Sequence, residues 1–231
     1  NTIAGTWAET SLSGQFTVGT GVFDANTLAA GAYNFIYYVA GTSPCINDTA
    51  DFTVTVSAIE NAGLDDLTAI LCNTAGNTLD LNTLLSGNTV AGIWAETTTS
   101  GQFTIGTGVF DANTLTAGAY TFIYYVPSTA PCANDTADFT VTVSAQENAG
   151  LDELTSVLCN TVGSTLDLNT LLSGNTVAGT WAETTVSTQF AVGTGVFDAN
   201  TLTAGAYTFI YYVPSTAPCA NDTADFTVTV S

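Results

Sequence analysis

Residues 119–144 read AYTFIYYVPSTAPCANDTADFTVTVS. Tyr120, Phe122, Tyr124 and Val126 alternate with Ala119, Thr121, Ile123 and Tyr125. After a loop carrying Pro127, Pro131 and Cys132, Phe139, Val141 and Val143 alternate with Asp138, Thr140 and Thr142. A period of two marks strands with one face turned to a core. Working upstream, Leu67–Cys72, Leu79–Leu85, Gly92–Thr97, Phe103–Ile105 and Val109–Phe110 read as shorter strands. Gly, Asn, Asp and Ser separate them, and no stretch carries a helical period with caps.

The same text recurs. Trp7, Trp94 and Trp181 return every 87 residues, and Tyr33, Tyr120 and Tyr207 keep the same step. So do Cys45, Cys132 and Cys219. Residues 58–144 and 145–231 are two full copies that differ at eleven positions, and residues 1–57 match the last part of a copy. A fixed long period means an array of one structural unit. Seven short strands in 87 residues predict one Ig-like β-sandwich per copy. The expected organisation is therefore all-β. It comprises the C-terminal part of an Ig-like repeat over 1–57, a repeat over 58–144 and a repeat over 145–231. An odd strand count puts the termini of a module at opposite ends, so the modules are expected to stack end to end. The partial first copy lacks the equivalent of residues 58–87; an upstream extension or another chain is expected to supply it.

Composition narrows the function. The chain has no Lys, Arg or His against 20 acidic residues, a formal charge of −20. That excludes an electrostatic footprint for nucleic acid or anionic lipid. It removes the groups that most catalytic triads, phosphate clamps and Schiff bases need, so no enzyme is expected. At 46% hydrophobic residues there is ample core material. No apolar run approaches the ~20 residues that span a bilayer, so no membrane insertion is expected in this segment. Near-identity of the copies points to a unit that works by being repeated.

The order ENAGLDDLTAILCN, TLDLNTLL, GIWAE, GVFDANTLTAGAYTFIYYV and APCANDTADFTVTV resembles a known group. It is similar to the Ig-like and PKD-like tandem repeats of giant cell-surface adhesins and gliding-type filament proteins of Bacteroidota. That resemblance implies type IX secretion, an extracellular cell-surface place, and service as a stalk or filament. Its partners would be neighbouring modules of the same chain or filament, with surface glycans as further partners. Two rivals stand beside the stalk: an array of glycan- or Ca2+-binding modules, and a subunit of a strand-complemented extracellular polymer.

Individual residues carry more specific expectations. Trp7, Trp94 and Trp181 are expected to plug the cores, and a tyrosine near the start of the penultimate strand to pin a corner. Five cysteines allow two regular schemes. One pairs Cys72 with Cys132 and Cys159 with Cys219, leaving the mate of Cys45 upstream. The other pairs Cys45 with Cys72 and Cys132 with Cys159, tying modules together. The intramodule scheme is the expected one, and either implies an oxidising compartment. Asp-Thr-Ala at 48–50, 135–137 and 222–224 resembles an O-glycosylation signal of Bacteroidota, making Thr49, Thr136 and Thr223 candidates. An Asx-type turn that starts the last strand reads equally well from the same residues. No cofactor is expected beyond Ca2+, for which Asp65, Asp66 and Asp111 are the candidate ligands. For Asp111, capping of the turn before Thr114–Leu115 is the plainer role.

Overall fold

A computed structural model describes residues 4–231. Asn1–Ile3, the first residues of the partial repeat expected over 1–57, lie outside the described residues. The first copy contains β1 (Thr6–Glu9), β2 (Phe16–Thr17), β3 (Val22–Phe23), β4 (Gly31–Val39) and β5 (Asp48–Val56). The second contains β6 (Leu67–Cys72), β7 (Thr78–Asp80), β8 (Ile93–Glu96), β9 (Phe103–Thr104), β10 (Val109–Asp111), β11 (Gly118–Val126) and β12 (Asp135–Ser144). The third repeats that series as β13 (Leu154–Leu158), β14 (Thr165–Asp167), β15 (Thr180–Glu183), β16 (Phe190–Ala191), β17 (Val196–Asp198), β18 (Gly205–Val213) and β19 (Asp222–Val230). Two compact units are present. One comprises Asn1–Asp65, Ser86–Ile93 and Tyr124–Ala137; the other comprises Asp66–Leu85, Trp94–Ile123 and Asp138–Ser231.

The third copy lies whole within the second unit and displays the architecture. One sheet has the order β13-β19-β18-β15, the other β14-β17-β16. β18 and β19 pair antiparallel from Gly205↔Val230 to Val213↔Asp222. β13 joins the outer edge of β19 in parallel, from Leu154↔Phe226 to Leu158↔Val230. The inward residues Phe209, Tyr211 and Val213 meet Phe226, Val228 and Val230, and with Trp181, Phe197 and Leu168 they form one buried cluster between the sheets. In the second copy β12 carries β6 along its edge in the same parallel sense, from Phe139↔Leu67 to Ser144↔Cys72.

The stretch 79–85, expected as one strand, divides. β7 ends at Asp80, whose carboxylate accepts a hydrogen bond from the Asn82 amide, and Leu81–Thr83 turn as a single 3-10 element. Asp is a strong cap because its oxygen satisfies an amide that the turn leaves without a partner. The turn drives Leu81 and, in the third copy, Leu168 into full burial. It also aims Asn169 at the tryptophan: Trp181 Nε1 donates to Asn169 Oδ1 at 3.0 Å. Asn169 Nδ2 in turn donates to Asp167 Oδ1 and the Thr194 carbonyl, each at 2.7 Å. Trp181 thereby keeps its one polar atom satisfied while its ring packs against Phe226, centroids 4.8 Å apart.

Trp181 sits so close to Gly195 that no larger residue fits there. A Cβ on Gly195 would lie 2.7 Å from Trp181 Nε1, and the backbone φ is +72°. Gly174 also has a left-handed φ, +85°, yet a Cβ there meets nothing within 4 Å. Gly174→Ala is therefore expected to cost about 1 kcal/mol, the backbone term alone. Gly195→Ala is expected to cost at least about 2 kcal/mol more, because the core must shift as well. Urea denaturation followed by tryptophan fluorescence compares the two; equal costs would show that the tryptophan does not set the packing.

Candidate functional site at the repeat boundary

Four sets of sequence-predicted residues come to defined places. Trp94 and Trp181 are buried, and Trp7 is half-buried. Tyr120 and Tyr207 each donate their hydroxyl to a backbone carbonyl four residues upstream, Thr116 and Thr203, at 3.0 Å. Tyr33 does the same to Ala29 at 2.9 Å. Asp111 accepts the Asn113 amide at 2.9 Å, just before Thr114 with its left-handed φ of 62°. The carboxylate thus tightens a turn that Thr alone would resist. Asp65 and Asp66 are exposed ahead of β6, and Asp66 also has a left-handed φ, 57°. Among the described residues no three His, Cys, Asp or Glu side chains gather as a metal set.

Thr49, Thr136 and Thr223 are exposed, each the second residue of its strand. Their neighbours in the Asn-Asp-Thr run do structural work that the sequence does not advertise. Asp135 Oδ2 accepts the Ala62 amide at 2.9 Å, and Asp222 Oδ2 accepts the Ala149 amide at 2.9 Å. The last strand of a repeat therefore fastens the opening segment of the same repeat. Asn221 Oδ1 accepts the Ser215 amide at 2.9 Å, and Ser215 Oγ accepts the Glu147 amide at 3.1 Å. The signal that could have found these roles is the co-occurrence of E-N-A-G at one end of a copy with N-D-T-A at the other.

The cysteines correct the sequence reading. Cys72 is bonded to Cys219, with Cα atoms 5.0 Å apart across 147 residues. Neither Cys72–Cys132 nor Cys159–Cys219 forms; Cys45, Cys132 and Cys159 are free thiols. The alternative scheme, Cys45–Cys72 with Cys132–Cys159, does not form either. The reason is strand direction. β13 runs parallel to β19, so Cys159, the residue after β13, lies beside the end of β19 while Cys219 precedes its start. Nine residues of strand at about 3.3 Å each separate the two sulfurs by roughly 30 Å, far beyond the ~7 Å Cα limit of a disulfide. The same parallel pairing sets Cys72 opposite Ser144, at the last residue of its repeat.

There the following repeat begins, and its loop supplies the partner. Cys219 Sγ lies 3.4 Å from the Ser144 carbonyl, which also accepts the Asn73 amide at 3.0 Å. Gln146 locks the same point: its amide donates to Asn73 Oδ1 at 2.7 Å, and its Nε2 donates to the Ala220 carbonyl at 2.8 Å. The bond thus joins the opening strand of one copy to the loop before the last strand of the next. Chemically the site offers a covalent lock and a dense backbone clasp.

Comparison with known proteins gives the fold a counterpart. No protein-family model matches the chain, and no curated protein matches it. Among solved structures, the I-band fragment I67-I69 of titin superposes over 100% of this chain and 88% of that one, with a TM-score of 0.51 at 12% identity. Sidekick-1 immunoglobulin domains 1-4 cover 99% of this chain and 67% of that one, with a TM-score of 0.37 at 13% identity. The protein is thus all-β, a tandem array of Ig-like β-sandwich modules.

Digestion without reductant, using a protease that cleaves at acidic residues, is expected to yield one linked species carrying the Cys72 and Cys219 peptides. Replacing Cys219 with Ser is expected to lower stability by about 2–5 kcal/mol. Recovery of a Cys72–Cys132 peptide pair would contradict the arrangement.

Proposed function

We propose that this chain is a segment of the stalk or filament of a large secreted cell-surface adhesin, of the gliding-type kind exported by the type IX route in Bacteroidota. The observation that carries this reading is the Cys72–Cys219 bond between consecutive repeats. A disulfide of this kind persists in an oxidising, extracellular setting. It also removes slack from an array under tension, because the 147 residues between the sulfurs cannot be drawn out while it is intact. The surface of 20 acids without a basic residue keeps such an array soluble and self-repelling. The organisation by repeats over 58–144 and 145–231, after a partial repeat over 1–57, suits serial extension.

A glycan coat is the second reading, and the exposed threonines favour it. Thr223 stands opposite Tyr212 on the neighbouring strand, and Thr49 opposite Tyr38; both tyrosines are exposed. A sugar on such a threonine would have an aromatic face beside it on which to rest.

Single-molecule pulling tests the stalk. Reductant is expected to add roughly 50 nm to the fully extended length, from 147 residues at about 3.4 Å each. An unchanged length would show that the bond does not carry tension. Intact-mass analysis of natively sourced protein tests the coat. Hexose-scale additions are expected at Thr49, Thr136 and Thr223, and bare threonines would remove this second reading.

A further inference from the structure

The Cys72–Cys219 bond is closed in from both sides. Cys72 is 3% exposed and Cys219 7% exposed. A carbonyl oxygen faces each sulfur: Gln146 Oε1 lies 3.5 Å from Cys72 Sγ, and the Ser144 oxygen lies 3.4 Å from Cys219 Sγ. Gln146 reaches across the bond. Its backbone amide donates at 2.7 Å to Oδ1 of Asn73, the residue after Cys72. Its Nε2 donates at 2.8 Å to the carbonyl of Ala220, the residue after Cys219, and at 3.2 Å to the Glu147 carbonyl. One residue thus ties together the two that follow the bonded cysteines. Reactive cysteines elsewhere sit beside cations that steady a thiolate. This chain has no Lys, Arg or His to do so.

We propose that Gln146 is a positioning residue that latches this bond against thiols, so that the link between copies opens slowly while the fold is intact. Opening is a thiol–disulfide exchange with a dithiol reductant. One thiol of the reductant loses its proton to solvent, and its thiolate attacks Cys219 Sγ, the less buried sulfur. The bond to Cys72 breaks, Cys72 leaves as a thiolate and takes a proton from water, and Cys219 is held as a mixed disulfide. The second thiol of the reductant, deprotonated in turn, attacks its partner's sulfur. Cys219 leaves and is protonated, and the reductant departs as a cyclic disulfide. Gln146 opposes the first attack at two atoms. Nε2 holds the Cys219 loop in place through Ala220, which denies the thiolate a path to Cys219 Sγ. Oε1 sets a partial negative charge beside Cys72 Sγ, where the departing thiolate forms. Like charges repel most where water is scarce. An apolar residue of similar size would keep the bulk and lose both effects. The chain carries such a residue: Ile59 stands 87 residues before Gln146, at the matching position of the preceding copy. The latch is therefore written at one position of the repeat and can differ from joint to joint. It concerns how the bond opens and does not depend on the stalk reading.

The test follows reduction of the 231-residue protein by dithiothreitol, quenched by alkylation and read from the masses of the Cys72 and Cys219 peptides. Gln146→Leu is expected to speed reduction about tenfold, the worth of one hydrogen bond lost at the latch. The rate is expected to stay first order in dithiothreitol, and the difference from the native protein to vanish in concentrated urea, where the latch does not exist. Gly174→Ala loosens the same copy away from the bond and serves as the comparison. It is expected to lower the urea midpoint at least as much as Gln146→Leu, yet to leave the rate of reduction within about twofold, because attack at the joint does not wait for global unfolding. Equal rates for the native and Gln146→Leu proteins would overturn the latch. So would an acceleration that persists in urea, which assigns the effect to local sequence, or one that Gly174→Ala matches, which assigns it to general loosening of the fold.

Discussion

The parallel ladder between the first and last strands of a repeat decides where its cysteines go. Parallel strands leave a sheet at the same end, and Cys72 is therefore delivered to Ser144, the last residue of its own copy. Antiparallel pairing would have returned it to the loop that holds Cys132. From that one choice of direction follow the bond to Cys219, the clasp at Gln146, and a covalent link between consecutive copies.

The core depends on a second, smaller device. Each full copy contains a tryptophan whose polar atom must be satisfied inside the sandwich. An asparagine two residues after a capping aspartate does this, at 2.9 Å for Trp94 with Asn82 and 3.0 Å for Trp181 with Asn169. The same aspartate holds the turn that places the asparagine, so Asp80 and Asp167 serve the core without entering it. In a chain without cations, the carboxylates that hold the fold do so by accepting hydrogen bonds from amides and hydroxyls. Asp80, Asp111 and Asp135 bond to amides, and Glu60 accepts from the Thr89 hydroxyl at 2.6 Å.

Much of the fold was legible because alternation is a local signal. The long strands Gly118–Val126 and Asp135–Ser144 and the turn at Asp111 lie where period and turn chemistry put them. The break after Asp80 was not legible, because Leu-Asn-Thr-Leu-Leu keeps an apolar rhythm through the turn. The disulfide was not legible either. Spacing along a chain gives the number of cysteines per repeat but not the direction of the strand that carries one of them. The parallel edge is a non-local choice; Asp135 and Asp222 hold the opening segments from the far end of the copy, and those acids looked like part of a glycosylation signal.

The bond between copies also bears on how such a chain can change length over generations. Copies this similar invite unequal recombination, which removes or adds whole 87-residue steps. Each step carries one opening cysteine and one loop cysteine. A gene that loses a step therefore loses one of each. The opening cysteine ahead of the cut then faces the loop cysteine behind it, in the geometry that Cys72 and Cys219 already display. Pairing between neighbours makes repeat number a variable that mutation can alter without leaving a thiol stranded at the splice.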